Sequence, residues 1–334
     1  MSYVKTAQTN TRAALAKLFG PIAGELEGVN HRLQAELRHR DPSIDEPAQR
    51  AFRLGGKRLR PALLLLSAQA GGEVNDAHRT LAAVVEMVHT ATLVHDDVLD
   101  EATLRRHEQT INARWNNRTR ILFGDFLFSH AFYLASTLET TFGCRTIGRA
   151  TNIVCAGELR QTAASGDFCL SREAYFEIIE AKTAELTACC CTLGAHYAGA
   201  GDEVVRSLET YGRHLGIAFQ IADDLLDLEG EEGLTGKSLG TDLEHLKMTL
   251  PLIHLREQLG EIERRSLQQL VAAPDGENTL RLLDWLDVSG APQHARDVAL
   301  MHAKKACEAL ARLPPTQAKV TLLELAKLVA RRDS

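Results

Sequence analysis

Aromatic residues, proline and long apolar runs are all scarce in this sequence. Aromatics make up 5% of its 334 residues and there are nine prolines. Alternation of apolar and polar residues never persists long enough to predict a β-strand. The longest apolar run, at 61–70, is far shorter than the about 20 residues that span a bilayer. These absences argue against sheet-rich and membrane-spanning architectures.

Cysteine pairing and excess positive charge are absent as well. The seven cysteines include no CxxC pair, so neither a disulfide framework nor a structural zinc site is predicted. The three consecutive cysteines at 189–191 lie in a helical pattern and point about 100° apart, which predicts core packing rather than shared metal binding. A net charge of -6 provides no basic surface for nucleic acid. No signal-peptide pattern opens the chain, so we expect a cytoplasmic protein.

Helical periodicity is the one strong structural signal. It is clearest at 81–100, 172–197, 204–228 and 295–313. Turn-forming residues predict breaks at 71–76, 165–171, 199–203, 229–240, 272–278 and 313–316. None of these breaks has the length or composition of an interdomain linker. We therefore expect one all-α domain over residues 1–334, with residues 1–20 as a flexible N-terminal segment.

Two clusters of three aspartates interrupt apolar helical stretches with the same spacing, i, i+1 and i+4. They are Asp96, Asp97 and Asp100, and then Asp223, Asp224 and Asp227. On a helix the first and third members share a face and the second lies on its flank. Uncompensated carboxylates in an apolar setting are costly, and a hard divalent cation removes that cost. Ligand sets of oxygen alone favour Mg²⁺, which completes its shell with water and substrate phosphate.

Other interpretations of these acidic stretches are weaker. A single cluster is most often a solvated acidic face, but two copies in the same phase make that interpretation less favourable. A calcium loop of the EF-hand type would need an oxygen ligand at Leu225. The stretch 233–238, "GLTGKS", resembles a P-loop but has Glu231 where the first glycine belongs. The clusters are therefore interpreted as a magnesium-dependent phosphate or diphosphate site.

Cations for such an anion are present. Lys57, Arg58 and Arg60 follow a double glycine, and Pro61 suits the first turn of a helix, whose backbone amides attract anions. A basic surface loop is the alternative. Arg105 and Arg106 follow about two helical turns after Asp100. Lys182, Lys237 and Lys247 are further candidates.

An ordered set of motifs resembles the trans-isoprenyl diphosphate synthase (polyprenyl synthetase) family. The resemblance runs from about residue 50 to about residue 256. The motifs are "GGKRLRP", "HTATLVHDDVLDEATLRR", "GDFLFSHAF", "GELRQ", "EAKTAEL", "GIAFQIADDLLDLEG", "GKSLGTDL" and "KMTLPLIHL". The sequence is most like bacterial medium- and long-chain members of the octaprenyl type.

The resemblance implies a fold and a reaction. The fold is the isoprenoid synthase fold, antiparallel helices around a deep central cavity, usually as a homodimer. An allylic diphosphate ionises with the help of Mg²⁺, about three ions with substrate bound. The alkene of isopentenyl diphosphate then attacks the allylic cation, and proton loss leaves a trans double bond. The long-chain product would be delivered to the membrane.

The resemblance also implies roles for individual residues. The metal ligands would be Asp96, Asp97, Asp100, Asp223, Asp224 and Asp227. Isopentenyl diphosphate would be bound by Lys57, Arg60, His89 and Arg106, although His89 without the resemblance is most simply a core histidine. The allylic diphosphate would be bound by Arg105, Lys182, Thr183, Gln220, Lys237 and Lys247. The residues expected to act directly in catalysis are Asp96, Asp97, Asp100, Arg105, Lys182 and Asp223.

Small residues before the first aspartate cluster predict a long product. Val88, Ala91 and Thr92 line the helix below the diphosphate, where an aromatic residue at 91 or 92 would close the pocket. Each helical turn adds about 5.4 Å, close to one isoprene unit. Candidates for the pocket floor on the facing helix are Phe126, Phe128 and Phe132.

The sequence departs from the family pattern at four positions. His107, Asn116 and Leu246 stand where glycine is usual, and Arg120 where a small apolar residue is usual. Two alternatives remain open, a terpene cyclase and a non-catalytic subunit of a heteromeric synthase. Cyclases usually have one aspartate cluster and lack "GGKRLRP", and regulatory subunits typically lose aspartates, whereas this chain keeps all six.

Overall fold

The computed structural model describes residues 14–54, 56–99, 104–105, 108–109, 115–229, 246–272 and 276–330, and these residues are predominantly helical, as the sequence predicts. A helical stretch at 14–18 and a 3₁₀ turn at Gly20–Ile22 come before the longer helices. In chain order those helices are α1 (Ala23–Glu36), α2 (Pro42–Leu54), α3 (Leu59–Gly71), α4 (Asp76–Leu99), α5 (Asn117–Ser136), α6 (Phe142–Ala163), α7 (Arg172–Ile179), α8 (Glu185–Tyr197), α9 (Asp202–Glu229), α10 (Leu250–Gln258), α11 (Glu261–Ala272), α12 (Gly276–Ser289), α13 (Ala291–Ala309) and α14 (Gln317–Ala330).

The strands among the described residues form one short hairpin, with two residues in each strand. Strand β1 (Leu104–Arg105) pairs antiparallel with β2 (Glu108–Gln109), and Leu104 is opposite Gln109. Helix α4 ends at Leu99, so Arg105 lies on a strand. Arg105 is therefore in a strand and not in a helical turn, whereas residues 100–103, between α4 and β1, lie outside the described residues.

The predicted helix breaks whose residues are all described, at 71–76, 165–171, 199–203 and 313–316, are confirmed. Helices α3 and α4 are separated at 72–75, α6 and α7 at 164–171, α13 and α14 at 310–316, and α8 and α9 at 198–201. In the last of these breaks Gly199 has φ +77°, a conformation that glycine adopts without steric penalty. Local turn chemistry therefore determines where these helices end.

A central core is formed where α3, α4 and α8 meet. Leu64 on α3, Leu81 on α4 and Cys190 on α8 are all fully buried. Helices α3 and α8 approach so closely that a Cβ at Gly194 would overlap the carbonyl oxygen of Leu64. All three cysteines at 189–191 are buried and pack as small apolar groups, as predicted, and this burial raises the pKa of their thiols.

A pair of histidines joins α9 to α13 away from the aspartate clusters. The Nδ1 atoms of His214 and His302 lie 3.1 Å apart, and His302 is 8% exposed. Burial, then His214, then Lys305 lower the pKa of His302 to about 4. The fold therefore holds this imidazole in its neutral form at neutral pH.

Among the described helices, none combines the length and apolar character needed to cross a bilayer.

Candidate active site

The first aspartate cluster begins on the half-buried face of α4. His89, Thr92 and Asp96 are all half-buried at i, i+3 and i+7, so their side chains share one face over two turns. Asp97 is more deeply buried, at 6% exposure. Asp100, the third member of this cluster, lies outside the described residues.

The second cluster, on α9, repeats this pattern of exposure. Asp223 is exposed and Asp227 is half-buried, whereas Asp224 is 7% exposed. Among the described members of each cluster, the second aspartate is thus the one turned into the protein. The sequence predicts that the second aspartate lies on the flank of its helix, and in both helices that flank is buried.

Asp224 is held by hydrogen bonds at both carboxylate oxygens. The Tyr175 hydroxyl donates to Oδ2 at 2.6 Å, and Gln220 Nε2 donates to Oδ1 at 2.8 Å. The Thr183 hydroxyl in turn donates to Gln220 Oε1 at 2.6 Å. Thr183, Gln220 and Asp224 therefore form one connected chain, and two hydrogen bonds fix the orientation of the carboxylate.

Thr183 and Lys182 lie on a single π-helical turn, Glu180–Ala184, between α7 and α8. Such turns insert one extra residue into a helix and occur often at functional sites. Two neighbouring helices lie against it. A Cβ at Gly157 of α6 would come within 2.9 Å of Lys182 N, and a Cβ at Gly216 of α9 within 2.5 Å of Ala184 Cα. Only glycine permits these contacts, which fix the turn against both helices.

Lys182 pairs with a carboxylate that sequence reasoning had not singled out. Its Nζ lies 3.0 Å from Glu158 Oε2, and both side chains are about one-fifth exposed. Burial raises the pKa of Glu158; Lys182 lowers it, Asp96 raises it and Lys247 lowers it. These electrostatic effects place Asp96 and the two lysines in one neighbourhood around Glu158.

Among the described residues, Tyr175 and Glu158 belong to the site but were not predicted from the sequence. Glu158 belongs to "GELRQ", which was noted as a motif without a role. Tyr175 is eight residues before Thr183, and helical phase does not by itself connect it to Asp224 on another helix. A buried tyrosine whose hydroxyl needs a partner is the general signal that could have identified it.

The glycine-rich segment places its cations differently from one another. Lys57 is exposed, whereas Arg60 is partly buried at the start of α3 and its Nε is buried without a hydrogen-bond partner. Burial lowers the pKa of Arg60, while Cys190 and Glu86 raise it. The loop therefore presents one cation to solvent and directs another toward the interior.

The departures from the family pattern have different local surroundings where they are described. Asn116 caps α5, accepting a hydrogen bond from Thr119 N at 2.9 Å, which a glycine could not do. Leu246 has φ +52°, the left-handed conformation that favours glycine, and its carbonyl accepts from Gly166 N at 3.1 Å. Arg120 is buried and donates from Nε to the Trp115 carbonyl at 3.1 Å.

Several predicted ligands lie outside the described residues. These are Asp100, Arg106 and Lys237, together with the departure at His107. The side chain of Arg105 likewise lies outside the described part of the structure, and its backbone lies on β1. Lys247 is half-buried, immediately after Leu246.

The residues predicted to set chain length lie along two packed helices, α4 and α5. Val88 and Ala91 are buried in α4, and Thr92 is half-buried. On α5, the Phe128 ring lies 5.8 Å from that of His95, next to the first aspartate. The three phenylalanines are half-buried: Phe126 stacks on Phe123 and His130, and Phe132 lies 3.7 Å from the position of a Cβ on Gly148 of α6.

The donor chemistry of the two clusters fits a hard cation. Every aspartate supplies oxygen only, and Asp96, Asp223 and Asp227 have solvent access. Within the described ranges, however, no three His, Cys, Asp or Glu side chains converge closely enough to form a closed metal cage. An ion held here would draw further oxygens from water or ligand, which is the coordination that Mg²⁺ prefers.

Comparison with known proteins gives a consistent result. Residues 41–282 match the family described as polyprenyl synthetase. The chain is 34% identical over 320 residues to octaprenyl diphosphate synthase of Escherichia coli (strain K12), covering 96% of this chain and 99% of that one. It is 36% identical over 308 residues to nonaprenyl diphosphate synthase of Mycobacterium tuberculosis (strain ATCC 25618 / H37Rv), covering 91% of each.

A solved structure agrees with these sequence relatives. Polyprenyl synthase from Caulobacter crescentus CB15, complexed with calcium and isoprenyl diphosphate, superposes with a TM-score of 0.91 at 35% identity. The similarity covers 96% of this chain and 98% of that one. Its helical architecture is therefore the architecture of the present chain over nearly its whole length.

Proposed function

The chain belongs to the polyprenyl synthetase family and is a prenyltransferase of the medium- or long-chain trans type, and from this we propose that it extends an allylic prenyl diphosphate with isopentenyl diphosphate, 1′-4, toward an octaprenyl product. In each cycle the allylic C–O bond breaks and diphosphate leaves with the electron pair. The isopentenyl alkene forms the new C–C bond to the cation. Loss of a proton then creates the next trans allylic diphosphate.

The observation that carries this proposal is the geometry around the π-helical turn: Lys182 Nζ lies 3.0 Å from Glu158 Oε2, and Thr183 is joined through Gln220 to Asp224 of the second cluster. Asp96 from the first cluster and Lys247 from a separate segment also act on the pKa of Glu158. An array of carboxylates and lysines contributed by different elements suits a metal-neutralised diphosphate, whose departure is assisted by stabilising its developing charge. When bound, Mg²⁺ would supply Lewis-acid stabilisation of that leaving group.

The chain's own residues divide into two groups in this proposal. Asp96, Asp97, Asp100, Asp223, Asp224 and Asp227 hold the metal. Arg105, Lys182, Thr183, Gln220, Lys237 and Lys247 bind the allylic diphosphate, and Lys57, Arg60, His89 and Arg106 bind isopentenyl diphosphate. The hydrogen-bonded chain from Thr183 through Gln220 to Asp224 supports this grouping, because it ties an allylic-site residue directly to the metal-binding cluster.

In this structure Lys182 is paired with Glu158. Burial raises the pKa of Glu158, and Lys182 lowers it through the same 3.0 Å contact. A diphosphate carries more negative charge than a single carboxylate, so its arrival gives the ammonium group a stronger anionic partner. In this proposal Glu158 holds Lys182 in position until substrate binds.

The proposed chain length has two supports. Thr92 shares the half-buried face of Asp96 and is small, so it leaves room for a growing chain. The similar proteins from Escherichia coli and Mycobacterium tuberculosis are named octaprenyl and nonaprenyl synthases. The Phe128 ring lies 5.8 Å from that of His95, next to the first aspartate, so we propose Phe132, about one turn further along α5, as the floor.

We also propose that the enzyme works as a homodimer in the cytoplasm and releases its product to the membrane. Ile121, Leu122 and Tyr133 on α5 are 45%, 58% and 63% exposed. Large apolar side chains on one helix surface are typical of a protein contact. A second copy of the chain is the partner expected there.

Incorporation of labelled isopentenyl diphosphate into farnesyl diphosphate tests the proposed function. Asp223→Asn should reduce incorporation by at least about 100-fold, because it removes an exposed carboxylate proposed to bind metal. Asp202→Asn is the matched control, since Asp202 is also exposed and also lies on α9. Equal activity of the two variants, or metal-independent incorporation by the wild type, would contradict the proposal.

A further inference from the structure

Two residues other than glycine have a positive φ among the described residues, and each adjoins a lysine proposed to bind diphosphate. Arg58, at φ +51° and ψ +36°, follows Lys57. Leu246, at φ +52°, comes immediately before Lys247. Residues with a side chain rarely adopt this conformation, and it persists only where surrounding contacts enforce it. At Arg58 several contacts hold the side chain in place.

The Arg58 guanidinium is held on all sides. Nη1 lies 2.7 Å from Glu86 Oε1 in an ion pair whose side chains are 13% and 5% exposed. Nε donates to Asn30 Oδ1 at 3.0 Å, and Nη2 donates to the Phe52 carbonyl at 3.3 Å. The guanidinium carbon also lies 5.2 Å from the centre of the Phe52 ring. The side chain is thus occupied within the protein and is not available to a substrate.

Glu86 connects this arginine to the helix that carries the first aspartate cluster. It lies on α4, one turn before His89. Its backbone carbonyl accepts a hydrogen bond from the Thr90 hydroxyl at 2.7 Å. It also acts on the pKa of Arg60, which burial lowers and which Cys190 and Glu86 raise. The Glu86 carboxylate thus forms an ion pair with Arg58 and attracts Arg60. Glu86 itself lies three residues before His89.

We propose that the Arg58–Glu86 ion pair is a positioning device for the isopentenyl diphosphate site. It fixes the left-handed turn between Lys57 and Arg60, and it fixes that turn relative to His89 on α4. Neither Arg58 nor Glu86 touches substrate in this account, so both are positioning residues. The inference deepens the proposed function and rests on its assignment of Lys57, Arg60 and His89 to isopentenyl diphosphate.

The ion pair has a consequence that simple stabilisation lacks. Loss of the pair frees the loop that presents Lys57 and Arg60, while the residues around Glu158 and Asp224 keep their own hydrogen bonds. The effect should therefore fall on one substrate. We expect KM for isopentenyl diphosphate to rise about tenfold to 100-fold, with KM for farnesyl diphosphate and kcat within about twofold of wild type.

The variants are Arg58→Met, Glu86→Gln and the double variant. Glu86→Gln keeps the size of the side chain and an acceptor oxygen, so it remains testable where Arg58→Met folds poorly. Arg58→Met leaves the Glu86 carboxylate without this ion-pair partner, which should lower the melting temperature. The double variant removes both charges and should therefore recover part of that loss. KM for isopentenyl diphosphate should stay raised in the double variant, because the turn remains unheld. Arg58→Lys should give an intermediate KM, since it keeps the charge and loses the bonds to Asn30 and Phe52.

A second ion pair that also involves α4 supplies the control. Arg79 of α4 lies 2.8 Å from Glu25 of α1, far along α4 from His89. Arg79→Met should lower the melting temperature without changing either KM. A rise in the isopentenyl diphosphate KM in Arg79→Met equal to that in Arg58→Met would overturn the positioning role, as would a uniform fall in kcat with both KM values unchanged.

Isothermal titration calorimetry with isopentenyl diphosphate separates this inference from the proposed function. If the wild type binds isopentenyl diphosphate and Glu86→Gln binds it at least about tenfold more weakly, the inference is supported whether or not turnover is seen. Equal binding in both proteins overturns it even if the wild type elongates farnesyl diphosphate. Failure of the wild type to bind isopentenyl diphosphate at all would overturn the proposed function, and the inference with it.

Discussion

Replacing Tyr175 by phenylalanine should weaken the response of the enzyme to Mg²⁺. The Tyr175 hydroxyl donates a 2.6 Å hydrogen bond to Asp224, which is 7% exposed. A hydrogen bond to a charged group contributes about 1.5 to 3 kcal/mol, or about 10- to 150-fold in an equilibrium constant. Gln220 still holds the other oxygen of Asp224, at 2.8 Å, so the lower end of that range applies. We expect the half-saturating Mg²⁺ concentration to rise about tenfold.

Two assays measure this effect. The first is elongation rate against free Mg²⁺ at saturating substrates, where the rate at high Mg²⁺ should approach that of wild type. The second avoids turnover and follows the melting temperature as Mg²⁺ is added with inorganic pyrophosphate, because a ligand that binds the folded state raises its stability. Tyr175→Phe should need about tenfold more Mg²⁺ for the same increase.

Tyr211→Phe is the matched control for this experiment. Tyr211 is fully buried on α9, and its hydroxyl donates to the Leu322 carbonyl at 2.8 Å, so its loss removes a buried hydrogen bond of similar length elsewhere. It should lower stability without altering the Mg²⁺ response. An unchanged Mg²⁺ requirement in Tyr175→Phe, or an equal change in the Tyr211 variant, would refute the positioning of Asp224 by Tyr175.

Three further predictions concern pH, thiol reactivity and product length. Because the pKa of His302 falls to about 4 in the folded state, its contribution to stability is present above pH 6.5 and lost as the pH falls toward 4. Urea unfolding should therefore show a loss of up to about 3 kcal/mol over that range, which His302→Gln should reduce; a variant with an unchanged pH slope would contradict this. Thiol titration with Ellman's reagent should label the exposed Cys155 and Cys169 first and leave the buried cysteines at 189–191 unlabelled until the protein unfolds. Early labelling of those three would mean that α8 opens in the native state. Thr92→Phe should shorten the product and Phe132→Ala should lengthen it, as measured by chromatography of the dephosphorylated alcohols, and an unchanged product in either variant would remove that residue from the chain-length pocket.

Local sequence patterns were sufficient for most of the helical architecture. Glycine at 71 and 199 coincides with helix ends, and the breaks predicted there are observed. The spacing of the second aspartate cluster also placed Asp224 on the flank of its helix correctly. These features depend on residues within about four positions of each other, the range over which helical phase is reliable.

The features that sequence did not predict depend on contacts between distant segments. Tyr175 reaches Asp224 from a different helix, and Arg58 meets Glu86 across 28 positions. The π turn at Glu180–Ala184 exists where two helices approach closely through glycines, and no local pattern encodes it. Leu246 is the reverse case, because local preference argues against a left-handed leucine and the tertiary structure nevertheless adopts it.

The central claim is tested most directly by sizing the products of the purified protein. Incubation with Mg²⁺, isopentenyl diphosphate and farnesyl diphosphate, followed by dephosphorylation and chromatography, should give a ladder that ends at about seven to nine isoprene units, since each helical turn of the pocket accommodates about one unit. A ladder that ends at three or four units would contradict the assigned chain-length pocket. Consumption of farnesyl diphosphate without any elongation would contradict the synthase activity itself.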